Sequence, residues 1–244
     1  RCSSIGDLMT EPKSKSEVLS VGAKTHVRTL AAQAILSVDF EADSKEMAKG
    51  IQCEDESIAM VGRVYGLNLS KNTERRTNGY LTGECDVWMP ESREIRDTKT
   101  AWSAATFPIT AEDVSPASVK LYTWQMRGYL WLWDGLRAWV DYCLVDTPEA
   151  LVRHEPLQLH VVSHIPEHMR VTSWCVERDE ALEGAMVEKV EYARAYYRDV
   201  IAEFDRTHRI AGQHPEAIVA AAPSQAPAPA VRTVGPAELA EASF

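Results

Sequence analysis

Four charged residues sit where a folded chain would be expected to place apolar ones. Along residues 41–66, Met47, Ile51, Ile58, Val61 and Tyr65 recur at helical spacing, and the stripe they define passes through position 54, which is Glu. A carboxylate on the buried face of a helix is costly unless something pairs with it. Further on, Asp86, Asp97 and Lys99 fall in two segments that read as strands. Alternation puts Cys85, Val87 and Met89 on one face and Asp86 on the other, while Asp97 and Lys99 share a face two residues apart. A glutamate at the stripe's edge, or an Asp-x-Lys ion pair on a surface strand, would explain any one of these. Three acids and a lysine, on a helix followed by two adjacent strands, are harder to dismiss together.

Such a set suits phosphodiester hydrolysis. Mg²⁺ takes a few carboxylates while keeping waters and a substrate phosphate oxygen. One or two Mg²⁺ or Mn²⁺ ions held by Glu54, Asp86 and Asp97 would polarise a phosphodiester, acidify an attacking water and offset charge on the leaving oxygen. Lys99 beside them would orient or deprotonate that water and stabilise developing charge.

The elements that must carry these residues can be placed coarsely. A helix spans 41–66. Strands over 81–89 and 94–102 are joined by the turn-like Pro90-Glu91-Ser92 into a hairpin. An amphipathic helix follows over 117–133, and 136–145 (LRAWVDYCLV) reads as a strand apolar on both faces, hence central in a sheet. After Pro148 come a looser region, a strand over 171–176 and a long charged helix over 179–206. The order implies an α/β fold with a mixed sheet flanked by helices. Residues 213–244 are rich in Ala and Pro and read as a flexible tail ending in a short helix-like PAELAEASF, so the domain boundary is expected near 212.

Of the 244 residues 45% are hydrophobic and 25% charged, enough for one sizeable core, which excludes a disordered chain, a fibrous repeat or a small disulfide scaffold. Cys2, Cys53, Cys85, Cys143 and Cys175 lie far apart with no CxxC pair, which fits a reducing cytoplasm and neither a zinc ribbon nor an iron-sulfur cluster. No apolar run is long enough to span a membrane, and the first residues lack the order of a secretory leader. The net charge of −10 argues at first against a polyanionic partner. Read by segment, 41–60 holds two basic and six acidic residues, where a proposed ligand lies, while 61–80 holds four basic residues (Arg63, Lys71, Arg75, Arg76) and one acid. Bound cations would invert the local sign and leave the basic stretches to meet phosphates.

The order G-x-x-x-E (Gly50 to Glu54), T-G-E-C-D (Thr82 to Asp86), D-T-K-T (Asp97 to Thr100) and Q-M-R-G-Y (Gln125 to Tyr129) resembles the PD-(D/E)XK nuclease superfamily, and within it the phage recombination exonucleases of the YqaJ and lambda-exonuclease type. T-F-P (Thr106 to Pro108), V-D-T-P (Val145 to Pro148) and I-P-E-H-M-R-V (Ile165 to Val171) extend the similarity over about residues 1–206. The resemblance implies a restriction-endonuclease-like core and 5′-to-3′ resection of double-stranded DNA ends. Glu54 becomes the helix acid, Asp86 the first strand ligand, Asp97 and Lys99 the acid and lysine of the motif. Gln125 and Tyr129 become residues that hold the substrate backbone, and the opening Arg1-Cys2-Ser3-Ser4 a segment reaching the phosphate of the DNA end, with Arg1 and Ser4 as contacts. It also implies a homo-oligomer and makes the tail a candidate contact for a single-strand annealing protein. A structure-specific or restriction-type endonuclease on the same core, or a non-catalytic DNA-end binding protein, are the competing readings.

Weaker signals have plainer explanations. His160, His164 and His168 are spaced by four, but Pro166 interrupts any helix there, so a zinc site is not expected. Trp124, Trp131, Trp133 and Trp139 could stack on bases, but core filling is the simpler use. Arg63, Lys71, Arg75 and Arg76 are either solvated surface or a phosphate track.

Overall fold

The computed structural model describes residues 1–40 and 44–208 and, beyond them, the backbone of Arg232–Thr233. Its elements are α1 (Ile5–Leu8), α2 (Val21–Leu36), α3 (Lys45–Tyr65), β1 (Arg76–Thr77), β2 (Thr82–Gly83), β3 (Val87–Met89), β4 (Glu94–Thr100), α4 (Pro116–Trp133), β5 (Arg137–Cys143), α5 (Glu149–Val152), β6 (Val171–Glu177), α6 (Glu180–Thr207) and β7 (Arg232–Thr233). The main sheet has the order β3-β4-β5-β6, with β4 and β5 parallel and the outer pairs antiparallel. It is mixed, as the pattern implied, and β5 is central. A smaller ribbon, β2-β1-β7, stands apart from it. The expected boundary near residue 212 and the Ala/Pro tail lie outside the described residues, apart from that two-residue backbone stretch.

Two helices cover the two faces of the sheet. The β4–β5 register sets Asp97 beside Val140 and Lys99 beside Tyr142, while Thr98 lies beside Asp141 and Thr100 beside Cys143. On the Lys99 face, α4 packs down: the Lys99 ammonium lies 4.9 Å from the Tyr122 ring centroid, and Tyr122 meets Tyr142 edge-on. On the other face lies α3, with Ser57 Oγ 3.1 Å from Thr100 Oγ1 and the Arg96 guanidinium 4.7 Å from the Tyr65 ring. Helix α4 starts at the Ser115 cap, whose hydroxyl accepts from Ser118 N, with Pro116 in the first turn. It is buried almost all round from Gln125 to Trp133, which is why so many aromatics fit on it. Trp131 and Trp133 fill the core, as expected, and Trp124 lies under Arg127.

The phase of α3 departs from the apolar stripe. Ile58 and Val61 of the stripe are buried, but Met47 and Ile51 are 49% and 73% exposed, and the buried side runs instead through Lys49, Cys53, Ser57 and Met60. Polar groups with partners hold that side. Lys49, fully buried, donates to the carbonyls of Ala101 (2.8 Å), Trp102 (3.0 Å) and Val145 (2.9 Å), the chain just past the ends of β4 and β5. A lysine with a complete set of acceptors is accommodated where an unpartnered one would not be, so hydrophobicity alone mis-phases the helix.

The first strand of the expected hairpin is also split. Over 81–89 only β2 and β3 are extended, and they pair with different neighbours, β1 and β4. Between them Glu84–Asp86 leaves the ladder because Asn72 holds it: Asn72 N donates to Asp86 O (2.7 Å) and Asn72 Nδ2 to Cys85 O (2.9 Å). Helix α2, on which the sequence patterns are silent, buries only a narrow stripe of small side chains, Ala23, Val27 and Ala31, packed with α6.

Candidate active site

Strand β3 begins at Val87 opposite Arg96, so on that side the edge of β4 from Asp97 onward has no strand partner. Asp86 takes the vacated position. Its Oδ2 accepts from the backbone N–H of Thr98 (2.7 Å) and from the Thr98 hydroxyl (2.9 Å). One residue to either side of Thr98, Asp97 and Lys99 emerge on the α4 face and form an ion pair with each other. Asp97 is 2% exposed. Burial and, against the relief given by Lys99, the negative charge of Asp86 hold its carboxyl well above the usual carboxylate range. Burial works against the Lys99 ammonium, but Asp97 and then Asp86 outweigh it and keep the lysine charged.

Glu54 reaches the same charge cluster from α3. Burial and the Asp86 charge raise its pKa, and Lys71 opposes them with Nζ 3.2 Å from Glu54 Oε1. The helix that was mis-phased therefore still delivers Glu54, from its half-buried flank instead of its core side. Behind the cluster, Arg96 and Asp141 form a buried ion pair at 2.9 Å on the α3 face of the sheet.

From α4 come Gln125 and Tyr129, one turn apart and both buried, with Gln125 Nε2 donating to the Tyr129 hydroxyl at 2.9 Å. Tyr129 also lines a pocket of about 330 Å³ together with Arg1, Cys2, Ser3, Arg75, Thr82, Gly83 and Glu84. Burial and then the Asp97 charge raise the Tyr129 pKa, and Tyr129, bonded to Gln125, links the pocket to the α4 side of the acids. The opening segment is anchored: Cys2 and Ile5 are buried, and Cys2 Sγ packs against Gly83 and Gly128. A Cβ on Gly83 would lie 2.7 Å from the Tyr129 ring and 2.8 Å from Cys2 Sγ, so a glycine is needed for this close approach. Ser3 lines this pocket, while the Ser4 hydroxyl donates to Arg1 O (3.3 Å) and Ser4 lines a neighbouring hollow with Arg1, Ile5 and Leu8.

Of the basic segment, Arg75 lines the pocket and pairs with Glu84 at 3.2 Å; Arg76 pairs with Glu74 and lies over Trp133. Arg63 is taken up by Glu56 and Glu167 and holds α3 to the segment before β6. His160 is buried between Thr147 and Glu155, while His164 and His168 are exposed, so the three histidines do not converge.

Among the described residues no three His, Cys, Asp or Glu side chains converge closely enough, as they stand, to hold a metal ion. The donor set nevertheless suits a hard divalent cation. Glu54, Asp86 and Asp97 offer oxygen only, burial and then the Asp86 charge raise the pKa of Glu54 and Asp97, and the buried Asp97 Oδ2 has no partner beyond its ion-pair contact. Thr98, Asn72 and Lys49, which hold the acids and their helix in place, escape sequence reasoning because nothing in their spacing marks them.

Comparison with known proteins places this geometry. A phage related exonuclease from Haemophilus somnus 129PT is 35% identical, with a TM-score of 0.79, over 84% of this chain and 95% of that one. An alkaline exonuclease (LHK-Exo) from Laribacter hongkongensis shares the fold at 15% identity and a TM-score of 0.56, covering 84% of this chain and 91% of its own. The same enzyme in complex with dAMP aligns equally well, at 16% identity. No family model and no curated protein matches the chain.

Proposed function

The chain belongs to the phage-type exonucleases of the PD-(D/E)XK superfamily, the YqaJ and lambda-exonuclease group, and from that premise we propose that it resects double-stranded DNA ends in the 5′-to-3′ direction with Mg²⁺ or Mn²⁺. It is a deoxyribonuclease, a hydrolase acting on DNA. The single observation that carries the metal-dependent part of this reading is the Asp97–Lys99 pair on β4 with Asp86 pinned beside it by Thr98, while the 5′-to-3′ direction rests on the family alone.

Glu54, Asp86 and Asp97 would hold one or two ions, which when bound supply charge neutralisation at the scissile phosphodiester and a more acidic attacking water. The protein's own residues do the rest. Lys99, fixed between Asp97 and the Tyr122 ring, donates a hydrogen bond toward the attacking water, orients it and offsets the charge that develops on the phosphate. Asp97 keeps that ammonium charged and oriented. Gln125, braced by Tyr129, positions the scissile strand on the α4 side. Arg1 and Arg75, with Ser3, provide donors for the terminal phosphate in the adjoining pocket, and Arg76 carries the backbone beyond it. An end-bound phosphate in a pocket of this size favours digestion from an end over cutting within a duplex.

A homo-oligomer is part of this proposal, supported by the family and by the exposed Met47 and Ile51 on α3; so is an annealing-protein partner for the tail. No helix among the described residues is long and apolar enough to cross a membrane. The test of the reaction is digestion, in Mg²⁺, of a linear duplex labelled at its 5′ ends beside a covalently closed circle of the same sequence. Release of labelled nucleotide from the linear form and survival of the circle support the proposal; cutting of the circle would move the assignment to an endonuclease.

A further inference from the structure

A second lysine stands at the acids. Lys71, in the connection between α3 and β1, puts Nζ 3.2 Å from Glu54 Oε1 and 3.4 Å from Asp55 Oδ1. Its place is determined by its neighbour: Asn72 is bonded through its backbone to Asp86 O and through its side chain to Cys85 O and Glu74 O, so Lys71 is tethered next to the strand acid while its side chain reaches the helix acid. Lys99, between β4 and α4, keeps 22% of its side chain exposed, whereas Lys71 keeps 43% and is the more open of the two to an entering strand. A lysine is a compact charge on a flexible stem with no preferred planar partner, suited to exchanging one oxyanion for another.

We propose that Lys71 is a phosphate-positioning residue that serves as the counter-ion of Glu54 until substrate arrives, then moves its ion pair to a non-bridging oxygen of the DNA backbone and leaves Glu54 to the cation. The inference rests on the metal-dependent reading above. It makes Lys71 a competitor of the divalent cation in the free protein and an ally of it in the complex. No bond is made or broken; a carboxylate is replaced by a phosphate as the partner of one ammonium.

The two halves are separable with Lys71→Met, checked for an unchanged melting temperature. Without DNA, Mn²⁺ titrated calorimetrically into the variant should bind up to about fivefold more tightly, because an exposed ion pair no longer competes. With Ca²⁺ in place of Mg²⁺ to suppress cleavage, the slope of log Kd for duplex DNA against log salt should fall by about one unit, and Lys71→Arg should restore it. Unchanged Mn²⁺ affinity or an unchanged salt slope overturns the proposal. Failure of the underlying reading looks different: Asp97→Asn would then leave Mn²⁺ binding intact, whatever Lys71 does.

Discussion

Asp86 and Thr98 are joined twice, through the backbone N–H of Thr98 and through its hydroxyl, both onto the same carboxylate oxygen. This double bond pair ties the residue before β3 to the strand that carries Asp97 and Lys99. It thereby sets the spacing of the two strand acids, although the residues are twelve apart in sequence.

Thr98→Val keeps the shape and the backbone bond and removes the hydroxyl. Hydrogen bonds to charged groups are worth about 1.5–3 kcal/mol, so kcat on linear duplex should fall roughly tenfold while KM changes little. An unchanged melting temperature and an unchanged titre of active enzyme distinguish this from a folding defect, which would also lower the apparent kcat at constant KM.

Lys49→Met leaves the carbonyls of Ala101, Trp102 and Val145 without their buried donor. The expected cost is about 3 kcal/mol or more, from several unsatisfied acceptors at about 1–3 kcal/mol each. Urea unfolding measures it, and a variant as stable as the parent would show that the carbonyls find other donors.

Gly83→Ala drives a methyl into the Tyr129 ring and Cys2 Sγ. Displacing the opening segment should cost about 1–3 kcal/mol and erase any preference for 5′-phosphorylated over 5′-hydroxyl ends. Comparing initial rates on the two substrates checks the second part.

Glu155 accepts hydrogen bonds from Lys45 and Trp102 and contacts His160, and these partners, Lys45 first, lower its pKa to about 2. A carboxylate whose folded pKa lies below its unfolded value contributes stability that is present above the unfolded value, near 4.5, and is lost as pH falls through the folded one. The stability advantage of the parent over Glu155→Gln should therefore be constant above pH 5 and shrink between about pH 4.5 and 2. Urea midpoints taken across that range would contradict the account if the gap widened on acidification.

Much of this molecule was legible beforehand because its elements follow simple periods. The apolar character of both faces of 136–145 identified the central strand, and α4 and α6 begin and end within a residue or two of their patterns. The strand acids and Lys99 were legible because charges on interior strand positions violate that alternation. The phase of α3 was not, because Lys49 and Ser57 are buried through backbone and hydroxyl partners supplied by residues far along the chain. The break at Glu84–Asp86 was hidden for the same reason, since its cause, Asn72, lies outside the strand. Long-range polar partners have no period, and it is they that aim Glu54 and Asp86.

The central claim is that Asp97 and Lys99 perform metal-dependent hydrolysis from DNA ends. Its most direct measurement is the rate of nucleotide release from linear duplex in Mg²⁺ by Lys99→Ala, matched to the parent for melting temperature and DNA affinity. The account predicts a loss of about 10²–10³-fold, the range for removing one preorganised donor that stabilises charge in the transition state. A rate equal to that of the parent would contradict it.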